Sequence, residues 1–209
     1  MMTLQTNNHI DKTNFGELKK VDDSLKKRPR YKSPSIQDDE FETPWELYFK
    51  LERETRVRFE LDPFATQKNA KCSFYFTKET NGFATDWLLP NNHIPTGVFV
   101  NHPHKYHKLA INTVTTQYIK WGFPVVMIIP SNTERTTYYD YYIERFRIGA
   151  KIDYDKYPKV IKTFPIKGAI KFLKDGKKTN DSSRNAYKVI HWLKSFNNNP
   201  QMNIRKYFR

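Results

Sequence analysis

The sequence predicts an α/β protein with a mostly parallel sheet, helices on both faces and a late β-hairpin. Strand-like and helix-like segments alternate between Arg56 and Glu144, which is the order of a parallel sheet with right-handed crossovers. Hydrophobic residues make up 38% and aromatic residues 15% of the 209 residues, so the chain can bury a substantial core. The length of 209 residues fits one ordinary domain better than two.

Three segments are expected along the chain. Residues 1–39 are polar and basic without a sustained apolar period, which predicts an N-terminal tail. Residues 40–195 contain the folded domain, whose C-terminal part is basic, and residues 196–209 form a basic C-terminal tail. The longest apolar run is Val125–Ile129, far shorter than the roughly 20 residues that cross a bilayer, so we expect a soluble intracellular protein without a membrane partner.

The first helix and the first strand are predicted at the start of the domain. Thr43-Pro44-Trp45-Glu46 combines an N-cap threonine, a proline suited to the first helical position and a glutamate that can close a capping box. The helix should continue to about Glu54. The segment 56–61 then alternates charged and apolar residues, which predicts a strand with one buried face that ends at Asp62.

Two buried strands and two helices are predicted in the middle of the chain. Val98–Val100 and Val125–Ile129 are short apolar runs of the kind found in parallel sheets. Tyr106–Trp121 has apolar residues near helical spacing and Gly122 as its C-terminal stop. A further helix is expected across Glu134–Glu144.

The basic charge is concentrated in the C-terminal third. Of a net charge of +14, nearly all arises after Glu144, where 17 Lys and Arg face 4 Asp and Glu. Ile170–Leu173 and Tyr187–Leu193 resemble two strands around the polar loop 174–184, so we expect a late hairpin that carries much of this charge. Interleaved aromatic residues favour a nucleic-acid surface over a merely solvated basic face. The expected nucleic-acid-binding residues are Lys171, Lys174, Lys177, Lys178, Arg184 and Lys188.

Polar residues follow three of the predicted strands. They are Asp62, the tetrapeptide Asn101-His102-Pro103-His104, and Ser131-Asn132-Thr133. Ligands of open α/β sheets bind beyond the carboxyl ends of the strands, so a site is expected there. No glycine-rich phosphate loop is found in the sequence, which disfavours nucleotide hydrolysis and dinucleotide binding.

Eight short segments in order carry a resemblance to a known family. They are Thr43–Trp45, Phe59–Thr66, Asn69–Cys72, Tyr75–Thr77, Asn81–Ala84, Asp86–Trp87, Val100–His104 and Ile129–Pro130. In order and spacing they resemble the phage-type DNA adenine-N6 methyltransferases, the Dam-like enzymes of bacteriophages and prophages. The resemblance spans roughly 42–143, and 170–193 resembles the closing strands of the family.

The resemblance implies that residues 40–195 form a Rossmann-like methyltransferase domain. Such an enzyme transfers a methyl group from S-adenosylmethionine to adenine N6 in double-stranded DNA, with the target base flipped out. The implied cofactor-binding residues are Pro44, Trp45, Asp62, Phe64, Ala65, Asp86 and Trp87. The resemblance also implies a location in the cytoplasm or nucleoid of a host cell. A basic cluster, Lys26–Lys32, could serve as a nuclear address in a eukaryotic host.

The tetrapeptide Asn101–His104 occupies the position of the family's Asp/Asn-Pro-Pro-Tyr catalytic motif. By this resemblance, Asn101 Oδ1 and the backbone carbonyl of His102 accept hydrogen bonds from the target amine, and His104 offers a flat surface to the flipped base. Pro103 retains the second proline of the motif. His102 and His104 depart from it, so the alternative is an inactive, methyltransferase-like protein that binds nucleic acid or has a structural role.

The sequence does not favour a metal site or a disulfide. His102, His104 and His107 lack a carboxylate or cysteine partner at helical offset, so no metal site is expected. Cys72 is the single cysteine, which excludes an intrachain disulfide and a multi-cysteine zinc site. Methylation of RNA or of a protein glutamine shares the motif type and stays open as a third function.

Overall fold

The computed structural model describes residues 42–150, 157–178 and 186–194. The predicted tails 1–39 and 196–209, the basic cluster Lys26–Lys32 and Arg184 lie outside the described residues. The described helices are α1 (Trp45–Thr55), α2 (His107–Trp121) and α3 (Thr137–Tyr142). None of the described helices is long and apolar enough to cross a membrane.

A six-stranded sheet forms the centre of the described fold. Its strands are β1 (Leu61–Asp62), β2 (Phe74–Tyr75), β3 (Val98–Val100), β4 (Val125–Pro130), β5 (Ile161–Pro165) and β8 (Tyr187–Trp192). The spatial order is β2-β1-β3-β4-β8-β5. The four strands β2, β1, β3 and β4 are parallel to one another, whereas β8 is antiparallel to both β4 and β5. The predicted mostly parallel α/β sheet is confirmed.

Each face of the sheet packs against helices. Along β3 the side chains alternate between the faces: Val98 and Val100 pack with α2 and α3 residues, whereas Phe99 packs with α1. In β4, Val126 and Ile128 share the α1 face with Phe99. The apolar runs of the sequence therefore reflect strands that are buried on both faces, as predicted.

Three predicted elements are corrected near their ends. The predicted strand 56–61 pairs only from Leu61, although Val57 and Phe59 are buried and Arg58 is exposed, as its alternation indicates. The predicted helix Glu134–Glu144 is divided into α3 and flanking 3₁₀ turns. The third correction concerns the start of α1.

The predicted capping box at the start of α1 is wrong. Pro44, not Thr43, occupies the N-cap position, and no side chain caps the helix. Thr43 instead uses its hydroxyl group at the end of β3. The end of α2 agrees with the prediction, because Gly122 adopts a left-handed conformation with φ 74° and donates to the carbonyl of Tyr118 at 2.8 Å.

The predicted late hairpin has a different partner strand. Tyr187–Trp192 pairs with Ile161–Pro165, which the sequence pattern missed, and not with Ile170–Leu173. A separate two-stranded hairpin forms between β6 (Leu173–Lys174) and β7 (Lys177–Lys178), and we call residues 173–178 the basic hairpin. The edge strand β5 has only one fully buried residue, Ile161, so its periodicity is weak.

Cys72 is buried in the core on the α1 face of the sheet. Its Sγ lies 3.5 Å from the hydroxyl oxygen of Tyr48. Burial raises the pKa of the Cys72 thiol to about 12, and it also raises the pKa of Tyr48. Cys72 therefore stays a neutral thiol and belongs to the packing of the fold.

Candidate active site at the strand ends

The carboxyl ends of β1 and β3 meet at one edge of the sheet because these strands are parallel neighbours. Asp62 ends β1 and Asn101 follows β3, so the fold brings the two predicted polar residues to the same edge. At the opposite, amino ends of these strands, Gly97 lets the backbones approach closely: an added Cβ would lie 2.6 Å from the carbonyl oxygen of Arg58. Asp62 and Asn101 are the first two residues of the candidate site.

Asp62 is a buried carboxyl group with 4% of its surface exposed. Its Oδ1 accepts a hydrogen bond from the backbone N–H of Phe64 at 3.2 Å. Burial raises the pKa of Asp62 to about 7, although backbone N–H groups and the ammonium group of Lys71 favour its charged form. A positive charge brought close to Asp62 would therefore favour the charged form of its carboxyl group.

Lys71 is the functional-site candidate that sequence reasoning missed at this edge. Its side chain is only 4% exposed and its Nζ lies 3.9 Å from Glu42 Oε2. The same Nζ lies 4.6 Å from the ring centroid of Trp45, an indole that is 44% exposed and stacks on Phe49. Burial lowers the pKa of Lys71. The signal was present, since Lys71 lies in one of the family-like segments.

Asn101 is half-buried and its amide is held at one end. Its Nδ2 donates a hydrogen bond to Thr43 Oγ1 at 2.9 Å, and Thr43 is 3% exposed. In the described part of the chain no group bonds to Asn101 Oδ1, so the amide oxygen can accept from a ligand. The side chain is not packed into the interior, in agreement with a catalytic role.

His102 points inward from the same tetrapeptide. It is buried, and its Nε2 lies 2.6 Å from His107 Nδ1. Burial lowers the pKa of His102 well below its usual value, and nearby His107 and His104 lower it further. The ring is therefore neutral at pH 7, and the role of the backbone carbonyl of His102 stays a prediction.

His104 lies on the surface among other rings. Its Nε2 is 3.4 Å from the Tyr187 hydroxyl oxygen, and the two ring centroids are 5.9 Å apart. Phe172 approaches the imidazole edge-on at 6.5 Å. The C-terminal part of the chain therefore contributes aromatic residues next to the tetrapeptide, a contribution that only tertiary structure reveals. Pro103 is half-buried and begins the turn that leads into α2.

The remaining predicted cofactor residues fall into two groups. Pro44 is the N-cap residue of α1, next to Trp45, and Phe64 and Ala65 follow Asp62 after Pro63. Phe64 packs on Phe83 with ring centroids 4.5 Å apart. These residues lie at the candidate site, and their contact with a cofactor stays a prediction.

Asp86 and Trp87 have structural surroundings. Asp86 is exposed and pairs with Lys120 at 2.6 Å. Trp87 is fully buried, and its indole N–H donates to the Gly82 carbonyl at 2.8 Å. Trp87 also packs edge-on against Phe64, with ring centroids 5.9 Å apart. These contacts stabilise the fold, and a contact of Asp86 or Trp87 with a cofactor stays a prediction.

The predicted nucleic-acid residues divide in the same way. Lys171, Lys174 and Lys177 are exposed at or beside the basic hairpin, and Lys178 ends it. Lys188 does not join them: its side chain is 11% exposed and pairs with Glu134. Its buried position in β8 also lowers its pKa. Lys188 therefore serves a structural ion pair, contrary to expectation.

Three surface cavities of about 450, 620 and 530 Å³ are lined by other residues, and neither Asp62 nor Asn101 contributes to them. No cluster of His, Cys, Asp and Glu in the described residues could hold a metal ion.

The mostly parallel sheet, with helices on both faces and polar residues at its strand ends, is consistent with a Rossmann-like methyltransferase fold. Residues 31–207 match the model of the DNA N-6-adenine-methyltransferase (Dam) family, and the chain belongs to this family. No curated protein matches the sequence. The family suggests DNA adenine-N6 methyltransferase activity, which requires a methyl donor and DNA.

Proposed function

We propose that this protein transfers a methyl group from S-adenosylmethionine to N6 of an adenine that is flipped out of double-stranded DNA. The observation that carries the proposal is the Asn101 amide, whose nitrogen is held by Thr43 while its oxygen stays available at the end of β3. Membership of the DNA N-6-adenine-methyltransferase family supports the reaction class.

Asn101 and His102 act on the target amine. The exocyclic nitrogen of adenine is conjugated with the ring and is a poor nucleophile. As it attacks, positive charge develops on this nitrogen, and acceptors that bind its hydrogens stabilise the transition state more than the ground state. Asn101 Oδ1 is one acceptor and the His102 carbonyl is the second. The transferred methyl replaces one proton, which leaves to solvent.

His104 supports the flipped base. Extrusion of a base loses its stacking in the duplex, and an aromatic surface restores part of it at about 1–3 kcal/mol per base. The exposed imidazole of His104 lies 5.9 Å from the Tyr187 ring and 6.5 Å from the Phe172 ring, measured between centroids. An aromatic group of this kind gives the base a flat support beside Asn101.

The residues near Asp62 fit S-adenosylmethionine. This donor supplies an electrophilic methyl group on a sulfonium, and it carries an ammonium and a carboxylate. The buried Asp62 carboxyl, with its pKa raised to about 7, gains its charged form when a cation approaches. Lys71 offers a buried cation for a carboxylate, and the exposed Trp45 offers an aromatic surface. Asp62, Lys71 and Trp45 would hold the cofactor.

Two measurements on the full-length protein test the proposal. Isothermal titration with S-adenosylhomocysteine should give binding heat, and radiolabelled methyl groups should pass to DNA and appear as N6-methyladenine after digestion. Label on RNA or protein but not on DNA would redirect the proposal to that substrate.

The second candidate is a DNA-binding protein of this fold without catalysis. It is favoured by the replacement of the motif's usual proline and aromatic residue with His102 and His104. DNA binding that weakens steeply with salt, together with no cofactor heat and no methyl transfer, would establish it.

A further inference from the structure

We infer that Thr43 is a positioning residue for Asn101 and that Glu42 anchors Thr43 to the basic hairpin; this inference rests on the proposed methyl transfer. Thr43 lies outside the tetrapeptide and is two residues before the start of α1. Its hydroxyl oxygen accepts from Asn101 Nδ2 at 2.9 Å across 58 residues of sequence. The contact joins the start of the domain to the end of β3.

The orientation of the Asn101 amide decides whether it helps or opposes the reaction. Rotation about its terminal torsion exchanges the oxygen and the NH₂ group with little intrinsic preference. If the NH₂ group faced the adenine amine, hydrogen-bond donors would face each other and no hydrogen bond could form between them. Thr43 Oγ1 accepts a hydrogen bond from the Asn101 nitrogen, and as long as this bond holds, the Asn101 oxygen is not bonded to Thr43. Thr43 is buried, which shields this bond from water.

Thr43 is itself fixed from both sides. On one side, the Glu42 N–H donates to the Leu173 carbonyl at 2.8 Å, and the Leu173 N–H donates back to Glu42 at 2.9 Å. The Glu42 carboxylate accepts from the Gly176 N–H at 3.2 Å and lies 3.9 Å from Lys71 Nζ. On the other side, the Pro44 carbonyl accepts the first helical bonds of α1.

The same contacts connect the proposed DNA surface to the proposed chemistry. Lys174 and Lys177 are exposed on the basic hairpin, which Glu42 holds through both its backbone and its carboxylate. Two consecutive residues, Glu42 and Thr43, connect the basic hairpin to the Asn101 amide through hydrogen bonds. A loosened hairpin should therefore misalign Asn101 and lower kcat, not only weaken DNA binding.

Thr43→Val and Thr43→Ser separate positioning from folding. Valine keeps the shape but removes the acceptor, so we expect kcat to fall about 10- to 100-fold, with the Kd values for S-adenosylhomocysteine and DNA within about twofold of wild type. Serine keeps the hydroxyl and should restore kcat to within about threefold. Unchanged kcat in Thr43→Val, or no rescue by Thr43→Ser, would overturn the positioning role.

A spectroscopic measurement tests the contact without turnover. The Asn101 side-chain NH₂ signals, assigned by their absence in Asn101→Asp, should be protected from exchange in wild type and lose protection in Thr43→Val. Unprotected wild-type signals would overturn the inference even in an active enzyme. If wild type is protected but methylates no substrate, the proposed function fails while the Thr43 contact stands.

Glu42→Ala tests the anchor, and Glu54→Ala is its control. Glu54 is a half-exposed glutamate whose ion pair with Lys50 lies on the surface of α1. We expect Glu42→Ala to lower kcat about 3- to 10-fold at saturating DNA and Glu54→Ala to leave it unchanged. A Glu42→Ala enzyme with wild-type kcat and only weaker DNA binding would refute the anchoring role.

Discussion

The two halves of the sheet differ in what they carry. The parallel half, β1 to β4, presents Asp62 and Asn101 at its strand ends, in a segment whose charge nearly balances. The antiparallel half, β5 and β8 with the basic hairpin, belongs to residues 145–209, the segment of the sequence that carries most of the excess positive charge. Chemistry and affinity for a polyanion are therefore assigned to different halves. The halves are joined by the pairing of β4 with β8, and they also touch where His104 meets Tyr187 and where Glu42 pairs with Leu173.

The largest expected effect comes from the parallel half. Asn101→Ala removes an acceptor that acts mainly in the transition state, so methyl transfer should fall by about a thousandfold while S-adenosylhomocysteine and DNA still bind. Single-turnover methylation and titration calorimetry measure the two quantities separately. Turnover near the wild-type level would dismiss the role of Asn101.

The next effect tests the buried carboxyl group of the same half. Folded Asp62 keeps its proton up to about pH 7, whereas the unfolded group loses it near its usual pKa of 3.8. Between these values the folded state binds more protons, so the Asp62 contribution to stability declines as the pH rises.

Asp62→Asn removes this dependence. The free energy of unfolding of the variant relative to wild type should rise by on the order of 3 kcal/mol from pH 4 to pH 7, about a hundredfold in the equilibrium constant. Burial lowers the pKa of His191 in the antiparallel half to about 4, so the His191 contribution to stability increases as the pH rises. This contribution is the same in wild type and in Asp62→Asn and cancels in the difference. Urea denaturation at several pH values measures the difference. A constant difference would refute the raised pKa.

The antiparallel half should control the salt dependence of DNA binding. Replacement of Lys171, Lys174 and Lys177 by Ala should weaken DNA binding about tenfold, and the slope of log K against log salt should fall in magnitude by about 0.9 per lost phosphate contact. Fluorescence anisotropy at several salt concentrations measures both. The control removes Lys50, Arg53 and Lys68 from the parallel half and should leave the slope unchanged.

The smallest effect is expected where the halves meet. His104→Tyr keeps a flat ring beside Asn101, so kcat/KM should stay within about threefold of wild type or increase. Steady-state methylation assays at pH 7 measure it. A loss of more than about tenfold would mean that the imidazole does more than stack.

The sequence predicted the parallel half better than the antiparallel half for a physical reason. Val98–Val100 and Val125–Pro130 are buried along their whole length, so an apolar run marks each strand. Ile161–Pro165 lies at an edge with one fully buried residue, and its pairing with β8 spans a long intervening segment. Edge position and long sequence separation leave little local signal.

The candidate site could be predicted from the sequence only in part. Asp62 and Asn101 follow strands, and a parallel sheet must bring them to one edge. Thr43 and Lys71 reach that edge through tertiary contacts, which no local pattern records. Lys188 was wrongly predicted to bind nucleic acid because the local sequence does not show that its ion-pair partner is Glu134, which lies on a distant segment.

The burial of Cys72 has a practical consequence. A thiol reacts with maleimides through its thiolate, and a pKa raised to about 12 together with burial keeps that species scarce. The chain has no other cysteine. Single cysteines introduced at Lys177 or Phe49 would therefore accept fluorescent labels selectively, without replacement of the native thiol. Distance changes between such dyes and labelled DNA could then be followed during binding.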